Sequence, residues 1–125
     1  MTQGTSRCRF PACQTNPMLL AFSVAPSGIP ADEAYAKGDA DGSVHDAVAA
    51  AVKVVRDSGL PNKTDSMFTT IEGEWDEVFA VVKRATEEVG KYGSRVSLVI
   101  KADIRPGYSG ELTAKVERLE SAIEG

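Results

Sequence analysis

The sequence predicts an α+β fold, a ferredoxin-like βαββαβ sandwich with an additional C-terminal helix, whose antiparallel sheet carries both main helices on one face. Three observations lead there. Apolar residues alternate with period two in separate stretches of the chain, they recur at helical spacing in the stretches between, and the resulting order places two crossovers around a hairpin. One further helical stripe follows the last strand.

The first strand is "MLLAFSVA" from Met18, with Leu20, Phe22 and Val24 on one face and Leu19, Ala21 and Ser23 on the other. From Pro26 to Gly42 the chain is rich in Pro, Gly, Asp and Ala, the composition of a long connecting loop. Ser43 with Asp46 three positions later reads as a capping box, and Val44, Val48, Ala51 and Val55 fall on one stripe of the helix it opens. Gly59 and Pro61 stop that helix. "NKTDSMFTTIEG" should hold the hairpin, a short strand over 62–65 and a longer one over 67–72, although no Asn-Gly or Asp-Gly marks its turn.

At Gly73 the chain turns abruptly into a second amphipathic helix, where Trp75, Val78, Val82, Ala85, Val89 and Tyr92 recur at helical spacing. Glu74, Asp76 and Glu77 in its first turn and Lys91 in its last complement the helix dipole, and Gly93 closes it. "RVSLVIKADI" alternates again, Val96, Leu98, Ile100, Ala102 and Ile104 against Arg95, Ser97, Val99, Lys101 and Asp103. "RPGYSG" is a loop, and Leu112, Val116, Leu119 and Ile123 form the stripe of the terminal helix.

Composition limits what such a chain does. With 125 residues, 42% of them hydrophobic, and no internal repeat, it builds one ordinary core and is too short for two. A net charge of −4 with Lys and Arg scattered among acids offers no basic field for a nucleic-acid backbone. No apolar run approaches the roughly 20 residues that span a bilayer, so no membrane partner is expected. At the N-terminus, "SRCRF" followed by "MLLAFSVA" has the order of a secretion signal. The apolar stretch is at the lower limit for one, however, and "APSG" is a poor cleavage site. The preferred reading makes residues 1–17 an unstructured tail and 18–125 a single domain, with Met18 itself a candidate start. Cys8 and Cys13 fall in that tail. Tetrahedral zinc wants four ligands and the lone His45 is remote at a helix start, so the cysteines read as incidental and the compartment as reducing, hence cytoplasmic.

If the two main helices cover one face of the sheet, the other face collects Leu19, Ala21 and Ser23, then Phe68, Thr70 and Glu72, then Ser97, Val99, Lys101 and Asp103. This mixed face is either a solvated outer sheet or a subunit interface or ligand floor, and its apolar members favour the latter. Catalytic signatures are weak. "KGDADG" puts Asp39, Asp41 and Gly42 in phase with a calcium loop but has Lys37 at the first ligand position and Val48 at the twelfth. "GLPNKT" lacks the order of a phosphate loop. Glu72 and Asp103 are paired carboxylates on one face, with no nucleophile, metal or oxyanion site to make them a small hydrolase or isomerase. Trp75 reads either as core, in phase with Val78 and Val82, or as the wall of a pocket.

"TTIEGEWDEVFAVVKRA", with "FSVAPSG" upstream and "VIKADIRPG…LTAKVERLE" downstream, resembles the small thiamine-binding protein family of the YkoF-like superfamily over 18–120. The resemblance implies a ferredoxin-like fold, homodimers or homotetramers (dimers of dimers) paired through their sheets, and non-enzymatic binding of thiamine or its hydroxymethylpyrimidine half, with no cofactor. It implies Ser23, Thr70, Glu72 and Asp103 as polar contacts and Phe68 or Trp75 as aromatic walls. The chain departs from the pattern in its tail and in its longer 26–42 loop. The competing expectation is an oligomeric interaction protein whose open sheet face is only an interface.

Overall fold

The computed structural model describes residues 16–35 and 44–125. Four strands, β1 (Met18–Ser27), β2 (Asn62–Thr64), β3 (Thr69–Gly73) and β4 (Arg95–Asp103), form one antiparallel sheet in the order β2-β3-β1-β4. The helices are α1 (His45–Asp57), α2 (Trp75–Val89) and α3 (Glu111–Glu124), with short 3₁₀ turns at Glu33–Tyr35 and Gly90–Tyr92. This is the ferredoxin-like sandwich that periodicity predicts. Of the loop expected over 26–42, Pro26 and Ser27 prolong β1 instead, paired with Val96 and Arg95. The calcium-like sequence, Ser43 and both cysteines lie outside the described residues.

Register follows from the alternation. Leu20 sits between Ile71 and Ala102, and Phe22 between Thr69 and Ile100, so Met18, Leu20, Phe22, Val24 and Ile71 face α1 and α2. These side chains make the core with Ala47, Ala51 and Val55 of α1 and Val78, Val81, Val82, Ala85 and Val89 of α2. Two helical faces differ from expectation. The buried stripe of α1 is Ala47-Ala51-Val55, because small alanines let the helix close on the sheet, and Val44 and Val48 are left exposed. On α2 the stripe starts at Val78, whereas Trp75 is 55% exposed and stacks on Phe79 at 4.8 Å between ring centroids.

Gly73 makes no turn of its own: it stays in β3, paired with Met18. It is glycine because α2 begins so close. A Cβ there would lie 3.2 Å from both Leu60 Cδ1 and Val78 Cγ1, tighter than most real contacts. The helix then opens with the Glu77 carboxylate accepting the Glu74 amide at 2.9 Å.

The third helix lies on the opposite, open face. Its N-cap is Gly110 in the left-handed region, which has no side chain to satisfy the first helical amides. Glu72 of β3 does so from beneath: the Glu111 amide donates to Oε2 at 3.1 Å and the Leu112 amide to Oε1 at 3.2 Å. One turn on, Lys115 donates to Asp103 of β4. Beyond Leu112, which is half-buried, the stripe of Val116, Leu119 and Ile123 is exposed rather than packed into the core.

Candidate functional site

Past Phe22 and Thr69 the pairing of β1 with β3 ends, beside the start of α1. A cavity of about 210 Å³ lies there, bounded by Phe22 to Ala25 of β1, by the N-cap Val44 and by Val48, Ala51 and Val52 of α1, and by Thr64 to Thr69 of the hairpin. It exists because β2 stops at Thr64 and because the alanine stripe of α1, pressed onto the sheet, turns Val44 and Val48 aside. Its walls are therefore largely apolar, with polar groups concentrated on the hairpin side.

Those polar groups are held in place. The Asp65 carboxylate accepts the amides of Phe68 at 3.0 Å and Met67 at 3.1 Å, and the Asp65 amide donates to the Phe68 carbonyl at 3.0 Å. A side chain thus closes the turn that no Asn-Gly marks. The Phe68 amide, and next the Met67 amide, hold the Asp65 carboxyl below its ordinary range, so the cavity rim keeps a negative charge at neutral pH. Opposite each other in the ladder, Thr64 and Thr69 bring their hydroxyl oxygens to 3.1 Å. Thr69 is buried among the core residues, and this contact satisfies its hydroxyl where valine would need nothing. Hydroxyls that both donate and accept, a carboxylate, and the rings of Phe22 and Phe68 suit a flat heteroaromatic group with mixed donors and acceptors.

The six residues expected at the site divide into four groups. Ser23 and Phe68 both line the cavity; one step past the last paired register, Phe22 with Thr69, they come opposite each other. Thr70 is half-buried on the same open face, between Ala21 and Lys63, and does not line the cavity. Glu72 and Asp103 lie at the far end under α3, where Glu72 caps the helix and Asp103 is paired with Lys115, which holds its carboxyl below the ordinary range. Trp75 stands apart on α2.

Thr64, Asp65 and Thr69 were not among the expected site residues. The available signal was "TDSMFTT" itself, an Asp two and three residues before amides it can accept, followed by a threonine facing the core side of the sheet. Among the described residues no group of three or more His, Cys, Asp and Glu side chains is placed to hold a metal ion, and no helix is long and apolar enough to cross a membrane.

A family model described as "Thiamine-binding protein" matches residues 21–120. The chain belongs to the thiamine-binding protein family. It is 50% identical over 104 residues to UPF0045 protein Mb1933 of Mycobacterium bovis, which covers 82% of this chain and 91% of that one. Among solved structures it is similar to a domain of unknown function, DUF77, from Bacillus cereus, with 30% identity, a TM-score of 0.62, and coverage of 78% of this chain and 86% of that one. It is also similar to protein MJ1052 of Methanocaldococcus jannascii, at 25% identity and a TM-score of 0.68, over 84% and 97% of the two chains. The span matched to the thiamine-binding protein family contains every residue that lines the cavity, together with the Glu72 contact to α3.

Proposed function

We propose that this chain binds thiamine or its hydroxymethylpyrimidine half without transforming it, as a carrier, buffer or sensor, and that the pyrimidine enters the cavity at the end of β1. The observation that carries the reading is the Thr64–Thr69 hydroxyl pair beside the Asp65 carboxylate and the Phe22 and Phe68 rings, in a member of the thiamine-binding protein family. At about 210 Å³ the space is smaller than the roughly 300–1,000 Å³ of pockets for drug-sized ligands. It suits one substituted ring, leaving the cationic thiazolium to project past Asp65 and over Ser23 toward the open face. A carboxylate and an aromatic edge favour such a cation.

Calorimetric titration with thiamine and with hydroxymethylpyrimidine tests this. Saturable binding of both is expected, with Asp65→Asn, which keeps the acceptor for the turn amides, weakening thiamine more than the neutral pyrimidine. Absence of heat and of competition for both compounds overturns the reading. A second reading, an oligomeric interaction protein, is favoured by one observation: β4 exposes Leu98, Val99 and Ile100 in a row.

A further inference from the structure

The register of the sheet places one row of side chains straight across its open face. Lys63 of β2 stands opposite Thr70 of β3, Thr70 opposite Ala21 of β1, and Ala21 opposite Lys101 of β4. Residues directly opposite one another share a face, so the whole row points away from the core. Three strand spacings of about 4.8 Å set the two lysine backbones roughly 14 Å apart, and their flexible stems let both ammonium groups lean in over Thr70 and Ala21. Both lysines are exposed and Thr70 is half-buried. Among the described residues none of these three side chains has a hydrogen-bond partner.

The rows on either side give this one its meaning. Toward α3 comes an acidic row, Glu72, Leu19 and Asp103, whose carboxylates are already engaged: Glu72 accepts the amides of Glu111 and Leu112, and Asp103 holds Lys115. The third helix thus offsets the two charges that would repel an anion from the lysines. In the other direction lies Ser23, beside the cavity and two residues from Ala21 along β1, roughly 6.7 Å away.

We propose that Lys63, Thr70 and Lys101 form an anion subsite that receives the phosphate of a phosphate monoester of thiamine. The inference rests on the thiamine reading above and names the form of the ligand. With the pyrimidine in the cavity and the thiazolium over Ser23, the hydroxyethyl arm leaves the thiazolium on the side away from the pyrimidine and runs along the open face to the lysine row. Two ammonium groups and one hydroxyl donor match the charge and the acceptor oxygens of a phosphate there. Asp65, at the cavity rim, is left for the thiazolium. A chain of net charge −4 repels anions at long range, so a preference for the phosphorylated ligand has to come from local cations such as these.

Calorimetric titration of the full chain with thiamine and with thiamine monophosphate tests this. At low salt the monophosphate is expected to bind on the order of tenfold tighter, and the ratio of the two affinities to shrink at roughly 0.5 M salt. Replacing both lysines, Lys63→Gln with Lys101→Gln, brings that ratio to about one. Lys53→Gln with Lys83→Gln removes the same charge from exposed positions of α1 and α2 and keeps the ratio. Equal affinities in the natural chain, a ratio that survives loss of Lys63 and Lys101, or one that falls as far in the control pair overturns the subsite and leaves thiamine binding standing. Absence of binding by thiamine, its monophosphate and hydroxymethylpyrimidine alike overturns both readings.

Discussion

Where β1 begins, the open face of the sheet presents Glu72 and Asp103, and both are engaged by α3: one carboxylate accepts two helix amides and the other holds Lys115. Where β1 finishes, the same face presents Ser23 and Phe68 beside the cavity, with Asp65 and the threonine pair on its rim, α1 as one wall, and no contact to α3. Residue types are alike at the two ends, yet their chemistry is used differently. At the closed end the polar groups satisfy helix amides, which removes them from the surface. At the other, Asp65 and Thr69 are satisfied within the hairpin and still border an empty volume. A carboxylate on an open sheet face is therefore not by itself a sign of a binding site; what distinguishes the ends is whether a later element of the chain comes to meet it.

Glu72→Ala is the most severe way to break this contrast. It strands the amides of Glu111 and Leu112 at a helix start that has no side-chain cap of its own, and is expected to cost about 2–3 kcal/mol, the loss of two hydrogen bonds to a charged acceptor. Denaturant titration reads the loss, and hydrogen exchange should localise it to α3. Thiamine affinity should hold. A tenfold loss of affinity in this variant would join the closed end to the site.

Thr69→Val does the reverse. The shape of the strand is kept, the hydroxyl contact with Thr64 is removed, and the pyrimidine loses a partner, so affinity is expected to fall by about 1–2 kcal/mol in calorimetry, with the protein still folded. Unchanged affinity would move the ligand out of the cavity.

Acid separates the ends more gently. Lys115 lowers the carboxyl of Asp103, and Arg118, whose guanidinium bonds it at 2.7 Å, lowers that of Glu111. Groups lowered by folding stabilise fully above their ordinary values, 3.8 and 4.5, and lose that contribution as pH falls through the depressed folded values. NMR shifts of α3 should therefore move as pH drops below about 4. Asp65 is lowered too, but chiefly by the Phe68 and Met67 backbone amides, with Lys63 the smallest contributor. At neutral pH, roughly 1 M salt should then loosen the α3 pairs through screening and leave the hairpin shifts in place. Equal movement of both regions would remove this distinction.

Much of the frame was legible in the sequence because a strand's period of two is a local property. The alternation in 18–25 and 95–103 separates the two faces, and the register confirms which residues share them. Which stripe of α1 is buried was not legible, since Val44-Val48 and Ala47-Ala51 are both apolar, and only the approach to the sheet selects the smaller pair. The role of Glu72 was hidden for another reason: its partners lie 39 and 40 residues further on, in a helix whose cap is a glycine. Thr69 is a hydroxyl on the core side of a strand, and its explanation needs the hairpin turn that sets Thr64 opposite it.

Thr70 lies between the two ends and gives the smallest and most discriminating change. It is half-buried beside Ala21 and Lys63, two positions from Phe68 toward Glu72. Thr70→Val preserves shape and strand preference while removing one hydroxyl, so stability should stay within about 0.5 kcal/mol of the natural protein. If the pyrimidine fills the cavity and the thiazolium crosses the open face, thiamine should weaken by less than about 1 kcal/mol, because the lost group meets only the outer ring at a partly solvated position. Hydroxymethylpyrimidine, which lacks that ring, should bind as before. A loss shared equally by both compounds would instead place the pyrimidine on the open face, and the boundary between the two ends would then run through Glu72 rather than Phe68.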